Sequence, residues 1–187
     1  MRLKVSGLAP NEYEENFTNA TVDTANSEVF RFLQNGWSDN QWLYLYGLHG
    51  TGKSYTANCI ANMLIDRGIS IFSARETDLA AMIQATFSDS SGEQERKLMH
   101  RVKNIKVLII QDIGKYGLRK GSEWWPSILF DIIDLRMING LATIFTSNYS
   151  LSELVLKLGE NHGRAIQSRL SGLCTQIKMQ GKDRRQE

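Results

Sequence analysis

Cysteine and proline are almost missing from this chain, with two of each among 187 residues. Cys59 and Cys174 stand far apart in apolar surroundings, so a disulfide framework is excluded and a reducing, cytoplasmic setting is expected. So few prolines leave no room for a proline-rich linker, and no domain boundary is drawn. No apolar run approaches the roughly 18 residues of a membrane span, and Met1–Pro10 lacks the apolar core of a signal peptide. No membrane partner is expected. An excess of one charge is also lacking: 22 Lys and Arg against 20 Asp and Glu give a net charge of +2. Nucleic-acid contact must therefore rest on local clusters. His49, His100 and His162 share no metal-ligand spacing and have no cysteine cluster beside them, which argues against zinc. No serine elbow or Cys–His arrangement points to covalent catalysis.

What is present is an ordinary globular composition, 42% hydrophobic and 22% charged, of a length that suits one domain. Residues 1–40 are a polar, irregular leading segment with one helical stretch, Ser27 to Gln34. From residue 41 to 187 an α/β core follows, in which apolar runs alternate with helical periodicity. Strands are expected at Leu43–Tyr46, Ile69–Ser73, Val107–Ile110, Ala142–Thr146 and Thr175–Met179. Helices are expected at Ser54–Arg67, at Thr77–Phe87 with Leu79, Met82 and Ile83 inward, and at Glu93–Val102. A further helix is capped by Ser122 and ends near Gly140, another opens on the capping box of Ser150 and Glu153 and ends at Gly159, and a last one covers Ala165–Leu170. Strands alternating with helices imply a parallel five-stranded sheet covered on both faces, with any site at the carboxyl ends of its strands.

The strongest motif lies at the end of the first strand. Gly47-Leu-His-Gly50-Thr51-Gly52-Lys53-Ser54 satisfies the phosphate-loop pattern G-x-x-x-x-G-K-[ST] in full, between a strand and a helix as that pattern requires. Glycines let the loop wrap closely, so successive backbone N–H groups can face phosphate oxygens at the positive end of a helix. Lys53 is placed to bridge the β- and γ-phosphates, and the Ser54 hydroxyl to ligate Mg²⁺. Tyr55 completes the candidate set for binding ATP or ADP. The third strand should supply an acidic partner for the metal, and it ends in Gln111-Asp112-Ile-Gly114. Two registers fit the spacing. Either Asp112 is the metal-binding acid with no second acid after it, or Gln111 holds the metal position and Asp112 is the acid that polarises water. One acid is missing either way.

With these motifs in order, the chain resembles the DnaC/DnaI/IstB group of AAA+ P-loop ATPases, which comprises replicative helicase loaders and transposition helper ATPases. The resemblance rests on Ser6–Phe17, on Trp42–Gly47 leading into the phosphate loop, on Gln111–Gly114, Thr146-Ser147-Asn148 and Ser168-Arg169-Leu170, and on Gly181–Arg185. It implies that Asn148 is the sensor at the tip of the fourth strand, where an amide orients water against the γ-phosphate. The other reading of Asn148 is a cap for the next helix. It implies that Arg169 is an arginine finger acting on nucleotide held by a neighbouring subunit, with Arg164 as an alternative. The bland reading of Arg169 is a helix arginine paired with an acid. Arg184 or Arg185 would be a second sensor or part of a solvated tail. The family register puts Gln111 in the metal position, so slow hydrolysis is expected.

The same resemblance implies a hexameric replicative helicase and single-stranded DNA as partners, together with self-assembly through Arg169. Members of the group commonly carry an N-terminal helicase-binding segment; none is expected within these residues, as in a trimmed piece or a short natural version. Lys115, Tyr116, Arg119 and Lys120 follow the third strand and are the candidate contacts to nucleic acid; a charged, solvated loop is the competing account. Trp125 is expected in the core and Trp124 at the surface. The expected function is an ATP-dependent helicase loader. Its rivals are a transposition helper working beside a transposase, a nucleotide-bound adaptor that inhibits the helicase without turnover, and, least favoured, a small-molecule kinase.

Overall fold

In the computed structural model, residues 6–23, 26–35, 37–116 and 123–183 are described. Five strands, Trp42–Tyr46 (β1), Ile71–Arg75 (β2), Val107–Ile113 (β3), Ala142–Ser147 (β4) and Cys174–Lys178 (β5), form one sheet in the order β2-β3-β4-β1-β5. Every pairing is parallel. Strands β1, β3 and β4 are apolar at consecutive positions and buried on both faces, as covered parallel strands must be. The edge strand β5 is largely exposed and correspondingly polar.

Side-chain alternation divides the core in two. Leu43, Leu45, Ile71, Val107, Ile109 and Ile144 face helices α1 (Ser27–Asn35) and α2 (Lys53–Asp66) and the leading segment. Tyr44, Phe72, Leu108, Ile110 and Phe145 face the opposite layer. That layer holds α3 (Glu76–Ala85), α4 (Glu93–Asn104), α5 (Trp124–Ile138), α6 (Leu151–Leu158) and α7 (Glu160–Leu173). The leading segment lies against α2 because Asn58 and Asn62, one turn apart, are both buried there. Asn62 donates to the carbonyls of Glu12 and Glu15, and Asn58 to the Glu15 carboxylate.

Several boundaries differ from the sequence expectation for identifiable reasons. Strand β2 begins at Ile71 because Gly68 and Ile69 close the end of α2, their amides donating to the carbonyls of Ile65 and Leu64. Met82 is exposed on α3, and Ala80 joins Leu79 and Ile83 in the core instead. The N-cap position of α5 is Glu123; Ser122, the expected cap, lies outside the described residues. Helix α7 starts five residues before Ala165 and runs through Gly163, where a Cβ would sit 2.9 Å from the Val155 carbonyl oxygen. A glycine that looks like a helix breaker is thus a point of close approach between α6 and α7.

One basic residue is wholly internal. The Arg136 guanidinium donates to the carbonyls of Val102, Ile105, Lys106 and Ala142 and to the Thr143 hydroxyl, and the residue is fully buried. Its five-donor fork satisfies the chain ends around β3 and β4 at once. Burial depresses its pKa to about 9.

Candidate nucleotide-binding site

Placing β4 between β3 and β1 brings three strand ends side by side, and a cavity of about 670 Å³ opens above them. Its lining includes Gly50, Thr51, Gly52, Lys53, Ser54 and Tyr55 from the phosphate loop and α2, Asp112 from β3 and Asn148 after β4. The loop geometry demands glycine at Gly47, where the loop begins, and at Gly50. Gly47 has φ +149°, and a Cβ there would lie 2.2 Å from the Met179 carbonyl oxygen. Gly50 has φ +74°, with the Asp183 carboxylate packed against it. Within the loop, the Thr51 hydroxyl donates to the Leu48 carbonyl at 2.9 Å. Lys53 is buried, and its ammonium donates to the carbonyls of Gly47 at 2.9 Å and Leu48 at 2.6 Å. The cation is thereby fixed beneath the loop rather than extended into solvent. Gly52 sits in the left-handed region immediately before α2, whose first turn, Lys53 to Thr56, lines the cavity.

The two residues at the end of β3 diverge. Gln111 is buried on the α2 face, its amide donating to Asn58 Oδ1 at 2.8 Å and to the Ser73 hydroxyl at 3.2 Å. Because Asn58 also donates to Glu15, this amide belongs to a network that ties β3 and β2 through α2 to the leading segment. Asp112 instead has φ +61°, the one positive φ at a non-glycine position among the described residues. The register explains it: between Ile110↔Phe145 and Ile113↔Ser147, β3 uses one residue more than β4. This bulge turns the Asp112 side chain into the cavity. Its backbone N–H is satisfied by the Thr146 hydroxyl at 2.9 Å, and the Ser147 hydroxyl donates to the Ile113 carbonyl at 2.8 Å. Thr146 and Ser147 therefore clamp the bulge, leaving Asn148 as the member of its triplet that lines the cavity. The cap of α6 is Ser150 with the expected Glu153 box, so Asn148 is not the helix cap.

Ser54 and Asp112 supply one hydroxyl and one carboxylate to the same cavity, a set that fits Mg²⁺, which is usually held by one or two carboxylates together with substrate phosphates. No cluster of three or more His, Cys, Asp or Glu exists among the described residues, so such an ion would depend on the nucleotide for its remaining ligands.

The basic segment after β3 divides. Lys115 lies in the cavity and pairs with Asp112 at 2.7 Å. Tyr116 is half-buried in an aromatic cluster with Trp124 and Trp125, its hydroxyl accepting from Gln84. Arg119 and Lys120 lie outside the described residues, as do Arg184 and Arg185. Trp125 is in the core, as expected, and Trp124 is partly buried against it and edge-on to Phe87. This region is anchored on Glu76, fully buried, which accepts from the Tyr116 N–H at 2.7 Å and from the Trp125 indole at 2.8 Å; burial raises its pKa.

Arg169 does not line the cavity of its own chain. It pairs with Asp134 at 2.7 Å and lies 4.2 Å over the Phe130 ring on α5. Arg164 pairs with Glu160 on the exposed face of α7. Several lining residues were not among the expected site residues, notably Asn19, Thr21, Asn26, Thr56 and Arg75. The leading-segment residues carried no motif, and Arg75 ends β2 with no signature of its own.

A doubly covered parallel sheet with β4 inserted between the phosphate-loop strand and the acidic strand defines a P-loop nucleotide-binding domain of the AAA+ class. The chain belongs to the family described as IstB-like ATP binding protein, which it matches over residues 4–187. Among its relatives, the replicative helicase loader DnaC of Escherichia coli (strain K12) is 27% identical over 160 residues, covering 83% of this chain and 64% of that protein. DnaC of Buchnera aphidicola subsp. Baizongia pistaciae is 32% identical over 114 residues, 61% of this chain and 45% of the relative. The chain thus spans about half to two thirds of these curated relatives. A crystal structure of DnaI superposes with TM-score 0.75 at 23% identity over 95% of this chain and 94% of the other, which shows the shared fold. The replication initiator DnaA bound to AMPPCP and single-stranded DNA gives 0.73 at 19%, over 94% of this chain and 51% of that one. Among the described residues no helix is long and apolar enough to cross a membrane.

Proposed function

We propose that this chain is the ATP-binding module of a replicative helicase loader, in which the nucleotide held at Gly47–Ser54 governs its grip on a hexameric helicase and on single-stranded DNA. The observation that carries this reading is the convergence of the phosphate loop, Asp112 and Asn148 on one cavity. Helicase loaders recur among the relatives and are the source of the proposed helicase partner, and the DnaA neighbour bound to single-stranded DNA is the source of the other.

In this reading the loop amides and the Lys53 ammonium hold the β- and γ-phosphates. Ser54 and Asp112 would hold Mg²⁺, which supplies charge neutralisation between the two phosphates. The Asn148 amide orients a water toward the terminal phosphate. Hydrolysis is slow, because the only acid facing the cavity among the described residues is Asp112 and Lys115 already neutralises it. The bound state therefore carries the signal more than turnover does. A second reading, a transposition helper beside a transposase, draws on the IstB-like family description together with the resemblance noted in the sequence.

Calorimetry with ATP and ADP tests the core of the proposal. The protein should bind both, and Lys53→Ala should weaken binding by about tenfold or more, a charge-assisted hydrogen bond being worth roughly 1.5–3 kcal/mol. Unchanged binding in that variant would sink the reading. Capture from the native cell with ATP present then decides the partner. Recovery of a replicative hexamer supports the loader, and recovery of a transposase favours the alternative.

A further inference from the structure

Strand β2 ends in Arg75, which is exposed and lines the same cavity as Lys53, Ser54 and Asp112. Alternation places it on the sheet face of Ser73, the face that meets α2 and the phosphate loop. Lys53 is held by two loop carbonyls and Lys115 by Asp112. Among the described residues the Arg75 guanidinium has neither an ion pair nor a hydrogen bond.

The reason lies in its strand partner. Arg75 is in register with Gln111, on a neighbouring strand about 4.8 Å away. A carboxylate at position 111 would meet the guanidinium from the same face and neutralise it. The amide cannot, and it is already committed to Asn58 and Ser73. The residue that departs from the acidic pattern of β3 therefore leaves a fork-shaped cation without an acidic partner among the described residues, at the rim of an anion-binding cavity. Guanidinium matches phosphoryl oxygens in geometry and stays charged at any relevant pH.

We propose that Arg75 binds the terminal phosphate of a nucleoside triphosphate held by the same chain, so that the site distinguishes triphosphate from diphosphate and depends less on divalent cation than a site with two β3 acids. This rests on the nucleotide reading above. The geometry separates two tasks: Lys53 and the loop grip the phosphates common to ATP and ADP, and Arg75 contributes only when a third phosphate is present. Lys115 adds positive charge to the same wall when its pairing with Asp112 loosens.

Binding of fluorescent ATP and ADP analogues to the wild-type chain, Arg75→Ala, Arg75→Lys and Lys53→Ala, each with Mg²⁺ and with EDTA, tests the assignment. Arg75→Ala is expected to weaken the triphosphate by about tenfold and leave the diphosphate within about twofold, with the larger effect in EDTA. Arg75→Lys should recover part of the loss, since a point charge replaces a bidentate fork. An unchanged ratio of triphosphate to diphosphate affinity in Arg75→Ala, while Lys53→Ala weakens both, would overturn this inference and leave the phosphate-loop reading standing. If Lys53→Ala changes nothing, the nucleotide reading itself fails. Arg75 is exposed, so the melting temperature of the nucleotide-free variant should match the wild type, and equal melting separates a lost phosphate contact from a damaged fold.

Discussion

Gln111 occupies a position where a missing acid would be read as lost catalytic power, yet its amide has structural work that a carboxylate could not do. It donates to Asn58 Oδ1 and Ser73, and Asn58 spends its own donor on Glu15. In Gln111→Asp the Asn58 oxygen and the Ser73 hydroxyl would lose their donor in a buried setting, and a contact to the exposed Arg75 would not replace it for them. Leaving such groups unpaired costs about 1–3 kcal/mol, so the variant is expected to melt several degrees lower, and a thermal scan checks it. Its steady-state ATPase rate should stay low, because restoring an acid at 111 also breaks the network that positions β3; equal melting with a strongly raised rate would refute this account. The same scale explains what the sequence concealed. Arg136 and Glu76 look like surface charges on helices, and only their tertiary surroundings show them buried against backbone carbonyls and an indole. Arg75 carried no signal because its meaning depends on which residue lies beside it in the sheet.

Glycines in α7 illustrate the element scale. Gly163 and Gly172 both interrupt a helical pattern, but a Cβ at Gly163 would press on the Val155 backbone at 2.9–3.1 Å, whereas at Gly172 it would meet nothing within 4 Å. Gly163→Ala should therefore destabilise by roughly 1–3 kcal/mol through overpacking, despite the better helix former. Gly172→Ala should stabilise by up to about 1 kcal/mol. Denaturant midpoints of the two variants measure both, and a shift of the same sign at each position would contradict the packing argument. Elements with strong local codes were legible in advance. The phosphate loop, the Ser150 capping box and the uninterrupted apolar runs of β1, β3 and β4 lie where periodicity put them. Helix α7 was foreshortened because its glycine serves a neighbouring helix, which no local pattern records.

For the whole molecule, the sheet order decides which residues share the site. Inserting β4 between β3 and β1 makes neighbours of Asp112, Asn148 and the phosphate loop, and leaves Arg169 on α7, paired with Asp134 and outside the cavity. That placement fits both expectations for Arg169, a locally paired side chain and a residue that acts on an adjacent subunit. The two differ in mixing. If Arg169 acts in trans, Arg169→Ala and Lys53→Ala chains, each inactive alone, should regain ATPase activity when combined, since some interfaces then join an intact loop to an intact arginine. No recovery, with both variants folded and assembled as the wild type is, would assign Arg169 to the Asp134 contact alone. The basic segment after β3 shows the converse. Lys115 and Tyr116 look like a nucleic-acid loop in sequence, but one pairs with Asp112 and the other packs among tryptophans.

By itself the sequence determined the class of fold and the phosphate loop, because both are encoded by residues adjacent in the chain: apolar runs that want two covered faces, and glycines that permit one tight wrap before a helix. Only the tertiary structure separated Gln111 from Asp112, since a one-residue bulge sends one side chain into the Asn58 network and the other into the cavity. It alone brought Arg75 and the leading segment to the cavity, because contacts between residues far apart in the chain are set by strand order and register, which no local pattern specifies.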